Sequence, residues 1–203
     1  MIRVKRGNAK LHRNIGLFNL PTVTTCPGAG ECLKFCYAMK PEKLYKGHVV
    51  SSRHDNFKAS LDPAFATDMV REIRRLKVKV FRPHESGDLY NQSYVNKWVD
   101  IARQLSDVRF FLYTKSLHLD LSVLSSLPNV TLIKSYGGKL DFKIDKDKDH
   151  YARVVDTPHD VKPGEYMCPD YRHGRTEDEK ICGNLCRYCY GENHKVRVCF
   201  VKH

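Results

Sequence analysis

Residues 65–81, Phe65-Ala-Thr-Asp-Met-Val-Arg-Glu-Ile-Arg-Arg-Leu-Lys-Val-Lys-Val-Phe81, carry two periodicities in succession. Phe65, Met69, Ile73 and Leu76 recur at three- and four-residue spacing, with Arg71, Glu72, Arg74 and Arg75 on the other positions, the apolar stripe of an amphipathic helix. Asp62-Pro63 just before it supplies an acidic N-cap and a proline for the first helical position. Lys77-Val-Lys-Val-Phe81 then alternates, which is the pattern of a strand. The same helix-then-strand pair recurs downstream. Tyr94, Trp98, Ile101 and Leu105 mark a second helix before a strand at residues 108–113, and a short helix at 121–127 precedes a strand at 130–134.

Upstream, residues 15–20 read as a short strand, and residues 38–60 as helical pieces broken at Pro41 and Gly47. Residues 1–14 are a basic arm or a first edge strand. Further strands are expected at 151–155 and 195–201, and the Lys/Asp run at 140–149 reads as a solvated loop. Strand and helix alternating at roughly thirty-residue intervals predict an α/β fold with a parallel sheet. The units are too few for an eightfold barrel, so the expectation is a partial (β/α) barrel or an open parallel sheet. A single domain over residues 1–203 is expected, with a strand–helix body at 1–139 and an irregular Cys-rich region at 140–203 packing on it.

Cysteine is used in two concentrated bursts. Thr25-Cys-Pro-Gly-Ala-Gly-Glu-Cys-Leu-Lys-Phe-Cys-Tyr-Ala38 carries Cys26, Cys32 and Cys36, and the tail carries Cys168, Cys182, Cys186 and Cys189. Thiolates at such spacings on glycine-containing loops suit one soft metal, iron–sulfur or zinc. Only Cys186 and Cys189 have the two-residue gap favoured by zinc knuckles, so one or two [4Fe-4S] clusters are expected, with zinc as the alternative. Cys199 falls in the last alternating run and is expected to be a packed residue.

The chain has no apolar run of membrane-spanning length, and Met1-Ile-Arg-Val-Lys-Arg6 lacks the apolar core of a secretion signal. A soluble, cytosolic protein is expected, where thiols stay reduced and metal is favoured over disulfides. Thirty-five Lys and Arg against 23 Asp and Glu leave a net charge of +12. That balance suits nucleic acid or another polyanion as partner. The alternative function is therefore a zinc- or cluster-stabilised nucleic-acid-binding protein without catalysis. The sequence does not specify an oligomeric state.

In a parallel α/β fold the loops after the strands share one face. The first cysteine loop, His84-Glu-Ser-Gly-Asp88, Lys115 and Tyr136-Gly-Gly138 are predicted to meet there. His84, Asp88 and Lys115 are the catalytic candidates, and Tyr136, Gly137 and Gly138 the cofactor-binding candidates. Of the histidines, His173 and His194 lie beside the second cysteine group.

Cys182-x3-Cys186-x2-Cys189 resembles the cluster motif of radical S-adenosylmethionine enzymes, but it stands near the chain's end and not after the first strand. The first loop has that place but the spacing Cys-x5-Cys-x3-Cys, a departure that counts against S-adenosylmethionine as a cofactor. A resemblance covering nearly the whole chain is to the gene-product-88 family of phage proteins. It rests on Cys26-Pro-Gly, Cys32-x3-Cys36-Tyr-Ala, His84-x2-Gly-Asp88, the Tyr94–Trp98 helix, Tyr113-Thr-Lys-Ser116 and the terminal four cysteines. It implies a phage or prophage protein acting in the cytoplasm of a bacterial host.

Overall fold

The computed structural model describes residues 2–169, 176–191 and 194–202. Its elements in chain order are β1 (Val4–Arg6), β2 (Ile15–Phe18), α1 (Met39–Leu44), α2 (Ser51–Leu61), α3 (Phe65–Leu76), β3 (Val80–Pro83), α4 (Gln92–Gln104), β4 (Arg109–Thr114), α5 (Ser122–Ser126), β5 (Val130–Ser135), β6 (Tyr151–Val155), β7 (Tyr166–Met167) and β8 (Arg197–Val201). The strands form one eight-stranded sheet in the order β1-β2-β3-β4-β5-β6-β8-β7. Only β1 is antiparallel to its neighbour. The sheet is open, its edges being β1 and β7, so of the two expected architectures the open parallel sheet is the one formed.

Alternation along the strands divides the side chains between two faces. Phe18, Phe81, Phe110, Leu112, Val130 and Leu132 join Phe65, Met69 and Ile73 of α3 and Tyr94, Trp98 and Ile101 of α4 in the main core. Trp98 sits edge-on to Phe18 and Phe65 with ring centroids 6.0 and 6.1 Å away. Each such aromatic contact adds about 1 kcal/mol beyond area burial. The opposite face carries Ile15, Leu17, Phe111, Tyr113 and Ile133, and the Cys-rich tail lies on it through Tyr190, Cys182 and Cys189. Helices cover one side of the sheet and the tail covers the other.

Several boundaries differ from the sequence reading. Asp62 does not cap α3. Its carboxylate accepts the Ala64 N–H at 2.8 Å, and the helix begins at Phe65. Lys77, with φ 52°, closes α3 in the left-handed conformation, so the strand starts at Val80 and not at Lys77. Pro41 does not break the 38–60 region, because it sits in the first turn of α1, where no intrahelical N–H is required of it. Residues 46–50 run as a π-helical turn into α2. The basic arm at the start is edge strand β1. The short strand β7, which has no alternating pattern to announce it, lies inside the region read as irregular.

Candidate functional site

The loop after β2 is fastened to the ends of the next three parallel strands. Ser86 Oγ donates to Leu20 C=O at 2.7 Å, and the Leu20 N–H donates to Ser86 C=O at 2.9 Å. The Asp88 N–H donates to Thr25 C=O at 3.1 Å. Gly28 lies flat against the backbone after β4, where a Cβ would stand 2.1 Å from the Lys115 carbonyl oxygen, so only glycine fits. The Gly30 and Cys32 N–H groups both donate to Gly137 C=O, at 3.2 and 3.0 Å, and Lys139 N–H donates to Gly28 C=O at 2.9 Å. The predicted meeting of the first cysteine loop with His84–Asp88, Lys115 and Tyr136–Gly138 is therefore what the fold produces.

Cys26, Cys32 and Cys36 are half-buried, and none of the eight cysteines is joined in a disulfide. Burial, then the Asp88 carboxylate, then Cys36 and Cys32 push the Cys26 thiol up to about 12. Cys32 and Cys36 thus lie near enough to act on Cys26, the 3₁₀ turn 31–35 carrying Cys32 between the other two in sequence. Val23, three residues before Cys26, holds φ at 62°, and His84 holds 59°. A β-branched residue in that region is strained, and such strain persists where surrounding contacts fix the backbone.

The catalytic candidates have distinct settings. Asp88 is buried and accepts Thr114 Oγ1–H at 2.7 Å and the Lys115 N–H at 2.8 Å. Desolvation nevertheless leaves its pKa raised, these two donors acting in the opposite direction. It works as the pin between the β3 and β4 ends. His84 turns into the aromatic core, with Nε2 2.8 Å from Tyr94 Oη and its ring against Trp98. Burial lowers it to about 3, so it is neutral at physiological pH, and it faces away from the thiols. Lys115 Nζ donates to Ser135 Oγ at 2.7 Å. Among the cofactor candidates, the Gly137 and Gly138 N–H groups donate to the Asp141 carboxylate at 2.8 Å, and Tyr136 packs edge-on to Tyr151.

The tail gathers the second group. Cys168 follows β7 and its N–H donates to Cys199 C=O at 2.9 Å. Cys182 forms isolated bridges with Leu11 and Cys186, holding the tail to the strand side. Tyr166 Oη lies 3.6 Å from Cys186 Sγ. Burial raises the Cys189 thiol to about 12, with Cys168 and Cys186 adding to the rise and Tyr113 and Arg82 opposing it. Tyr190 lies in the field of Cys182, Cys186 and Cys189. Among the described residues, no three Cys, His, Asp or Glu side chains stand in a geometry that encloses an ion as they are placed. His194 Nε2–H donates to Tyr188 C=O at 2.7 Å and its ring packs on the Tyr188 ring. His173 lies outside the described residues. Cys199 is fully buried in β8 and donates to Glu165 Oε2 at 3.2 Å, a packed residue as expected.

Arg82 stands beside the second group. It acts electrostatically on Tyr37, next to Cys36, and on Cys182. Sequence reading passed over it as one of the basic residues at 71–82, although a cation inside a buried parallel strand was a signal in itself. The basic residues at 71–82 are divided between the two faces of the sheet. Arg71, Arg74 and Arg75 pair with Asp68, Asp107 and Glu72 on the helix side, whereas Arg82 projects onto the other face of the sheet.

No helix among the described residues is long and apolar enough to cross a membrane. No solved structure matches the chain. The resemblance to radical S-adenosylmethionine enzymes gains no support from comparison with known proteins. The chain is 30% identical over 148 residues to the Gene 88 protein of Mycobacterium phage D29, covering 65% of this chain and 57% of that protein. It is 35% identical over 103 residues to the Gene 88 protein of Mycobacterium phage L5, covering 45% of this chain and 43% of that protein. The chain thus spans about half the length of the curated relatives it matches. The family model described as Gene product 88 matches residues 3–199, nearly end to end and including both cysteine groups. The chain belongs to the Gene product 88 family of phage proteins.

Proposed function

We propose that this protein binds iron–sulfur clusters at its two thiol groups, Cys26, Cys32 and Cys36 at one and Cys168, Cys182, Cys186 and Cys189 at the other. The observation that carries this reading is the gathering of half-buried cysteines within each group, Cys36 and Cys32 lying near enough to raise the Cys26 thiol and Cys168 and Cys186 near enough to raise that of Cys189. Neutral thiols gain nothing from being crowded together. Thiolates so crowded repel one another unless a cation lies among them, and metal binding releases their protons. The donor set is sulfur alone, because Asp88 is taken up by Thr114 and Lys115. Soft donors select iron–sulfur or zinc over hard cations. Cys26, Cys32 and Cys36 would hold a [4Fe-4S] cluster with three thiolates and leave room for an outside ligand, while the four cysteines of the second group would make a closed site. A bound cluster supplies one-electron redox chemistry. The chain's own contribution is to hold the first loop rigidly at the strand ends through Gly28, Gly137 and Asp88.

Anaerobic purification followed by assay of iron, sulfide and zinc tests this. Iron and sulfide are expected together with visible absorption. Cys32→Ser removes part of both, Cys186→Ser removes the remainder, and Cys199→Ser leaves both intact. If Cys32→Ser and Cys186→Ser each abolish all the iron, a single shared cluster replaces the two-site arrangement. Stoichiometric zinc without iron overturns the reading.

A further inference from the structure

Several half-buried cations among the described residues meet a carboxylate. Arg53 meets Glu42 at 2.7 Å, Lys134 meets Asp149 at 2.7 Å, and Arg153 meets Glu165 at 2.5 Å. Arg82 is different. Its Nε is buried and has no hydrogen-bond partner. Its guanidinium carbon lies 4.8 Å from the Tyr113 ring centroid and 5.7 Å from that of Phe111. Glu85, the acid acting on it, is already engaged by the side-chain amides of Asn8 and Asn19. One strand along, continuing the alternation past Tyr113, Lys115 has a neutral hydroxyl, Ser135 Oγ, as its partner. Two cations thus stand at neighbouring strand ends. Withdrawing a lone guanidinium from water is costly unless an anion meets it.

We propose that this mouth of the sheet binds the carboxylate or phosphate of a small molecule, with Arg82 as the primary contact and Lys115 as the second. The Nε edge of a guanidinium offers two parallel N–H donors that match two oxygens of either group. Tyr113 fixes the guanidinium plane by stacking, so little freedom remains to be lost when the oxyanion arrives. The inference goes beyond the cluster reading and stands without it, since its contacts are organic and its readout is binding.

Calorimetric titration of the anaerobic wild-type protein with inorganic phosphate and, separately, with malonate tests the proposal and distinguishes the two oxyanions. Saturable binding of at least one, absent with chloride at equal ionic strength, is expected. Arg82→Gln lowers that affinity by about tenfold or more, the effect of losing about 1.4 kcal/mol, and Lys115→Gln lowers it less. Circular dichroism and iron content verify that each variant keeps its fold and metal. Should Arg82→Gln not fold, the Arg82 Nε–H resonance of the wild-type protein, assigned by its loss in Arg82→Lys, carries the test. A saturable shift with phosphate or malonate supports the proposal, and no shift overturns it. If neither oxyanion binds and Arg82→Gln instead loses iron, the cysteine thiolates are the counter-ion of Arg82 and the proposal is wrong.

Discussion

Glu165 precedes β7 and holds the edge of the sheet from which Cys168 projects, so its loss is expected to weaken both stability and the second thiol group. The carboxylate accepts Arg153 Nε–H at 2.8 Å and Nη2–H at 2.5 Å, the Lys162 N–H at 2.8 Å, Tyr151 Oη–H at 3.1 Å and Cys199 Sγ–H at 3.2 Å. Its side chain is 4% exposed. The Arg153 hydrogen bonds, followed by those from Lys162, Cys199 and Tyr151, hold its pKa at about 2 against 4.5 for a free glutamate. Because the folded value is the lower one, the unfolded chain binds more protons between pH 4.5 and 2. Stability from this group is therefore complete above pH 4.5 and is lost as pH falls through the folded value. The difference of about 2.5 units corresponds to roughly 3 kcal/mol at neutral pH, with about half of it gone by pH 3. Glu165→Gln removes the charge while keeping the shape. Urea unfolding at pH 7 is expected to show the variant less stable by about 3 kcal/mol, with the gap between the two proteins narrowing as pH drops below 4.5. A variant within about 0.5 kcal/mol of wild type at pH 7, or a gap that stays constant down to pH 3, refutes the assignment of this network as a buried, charge-assisted tie.

Asp88→Ala leaves the Thr114 hydroxyl and the Lys115 and Leu89 N–H groups without their side-chain acceptor, and three hydrogen bonds lost in a buried site predict about 3–5 kcal/mol of destabilisation by urea titration. Gly28→Ala sets a methyl 2.1 Å from the Lys115 carbonyl oxygen, so the first cysteine loop must lift away. Faster hydrogen exchange at Gly30 and Cys32 is the expected sign, and unchanged exchange contradicts the close packing. His84, lowered to about 3 by burial, is neutral when folded, so its protonation in the unfolded chain costs stability progressively as pH falls from 6.5 towards 3. His84→Phe is expected to flatten the stability–pH curve in that window. Chelation of bound metal is expected to loosen residues 176–191 more than the strand–helix body, because a loop-rich segment buries little apolar surface of its own. Equal exchange before and after chelation argues against these cysteines as ligands.

The periodicity of residues 65–81 and its downstream repetitions determined the α/β class and the parallel sheet, because a helix and a buried strand each impose a local spacing on apolar residues. The cysteine spacings marked seven thiols in two groups, since residues on one loop are neighbours in sequence as well as in space. Loops after parallel strands share an edge, which made the meeting of Cys26–Cys36 with Asp88, Lys115 and Gly137 legible before any coordinates. The direction of a side chain at a strand end is not local information. His84 and Arg82 are two residues apart on one strand end, yet one turns into the Trp98 core and the other projects onto the tail side. The left-handed backbone at His84 and the packing of Tyr94 and Trp98 decide that, and neither leaves a mark on the spacing. The folding of the tail onto the Ile15, Phe111 and Tyr113 face is likewise tertiary, set by contacts between residues more than 160 apart, such as the Cys182 carbonyl accepting the His12 N–H. That long-range closure places the second thiol group beside Arg82, because only a completed sheet offers the tail an apolar face to cover.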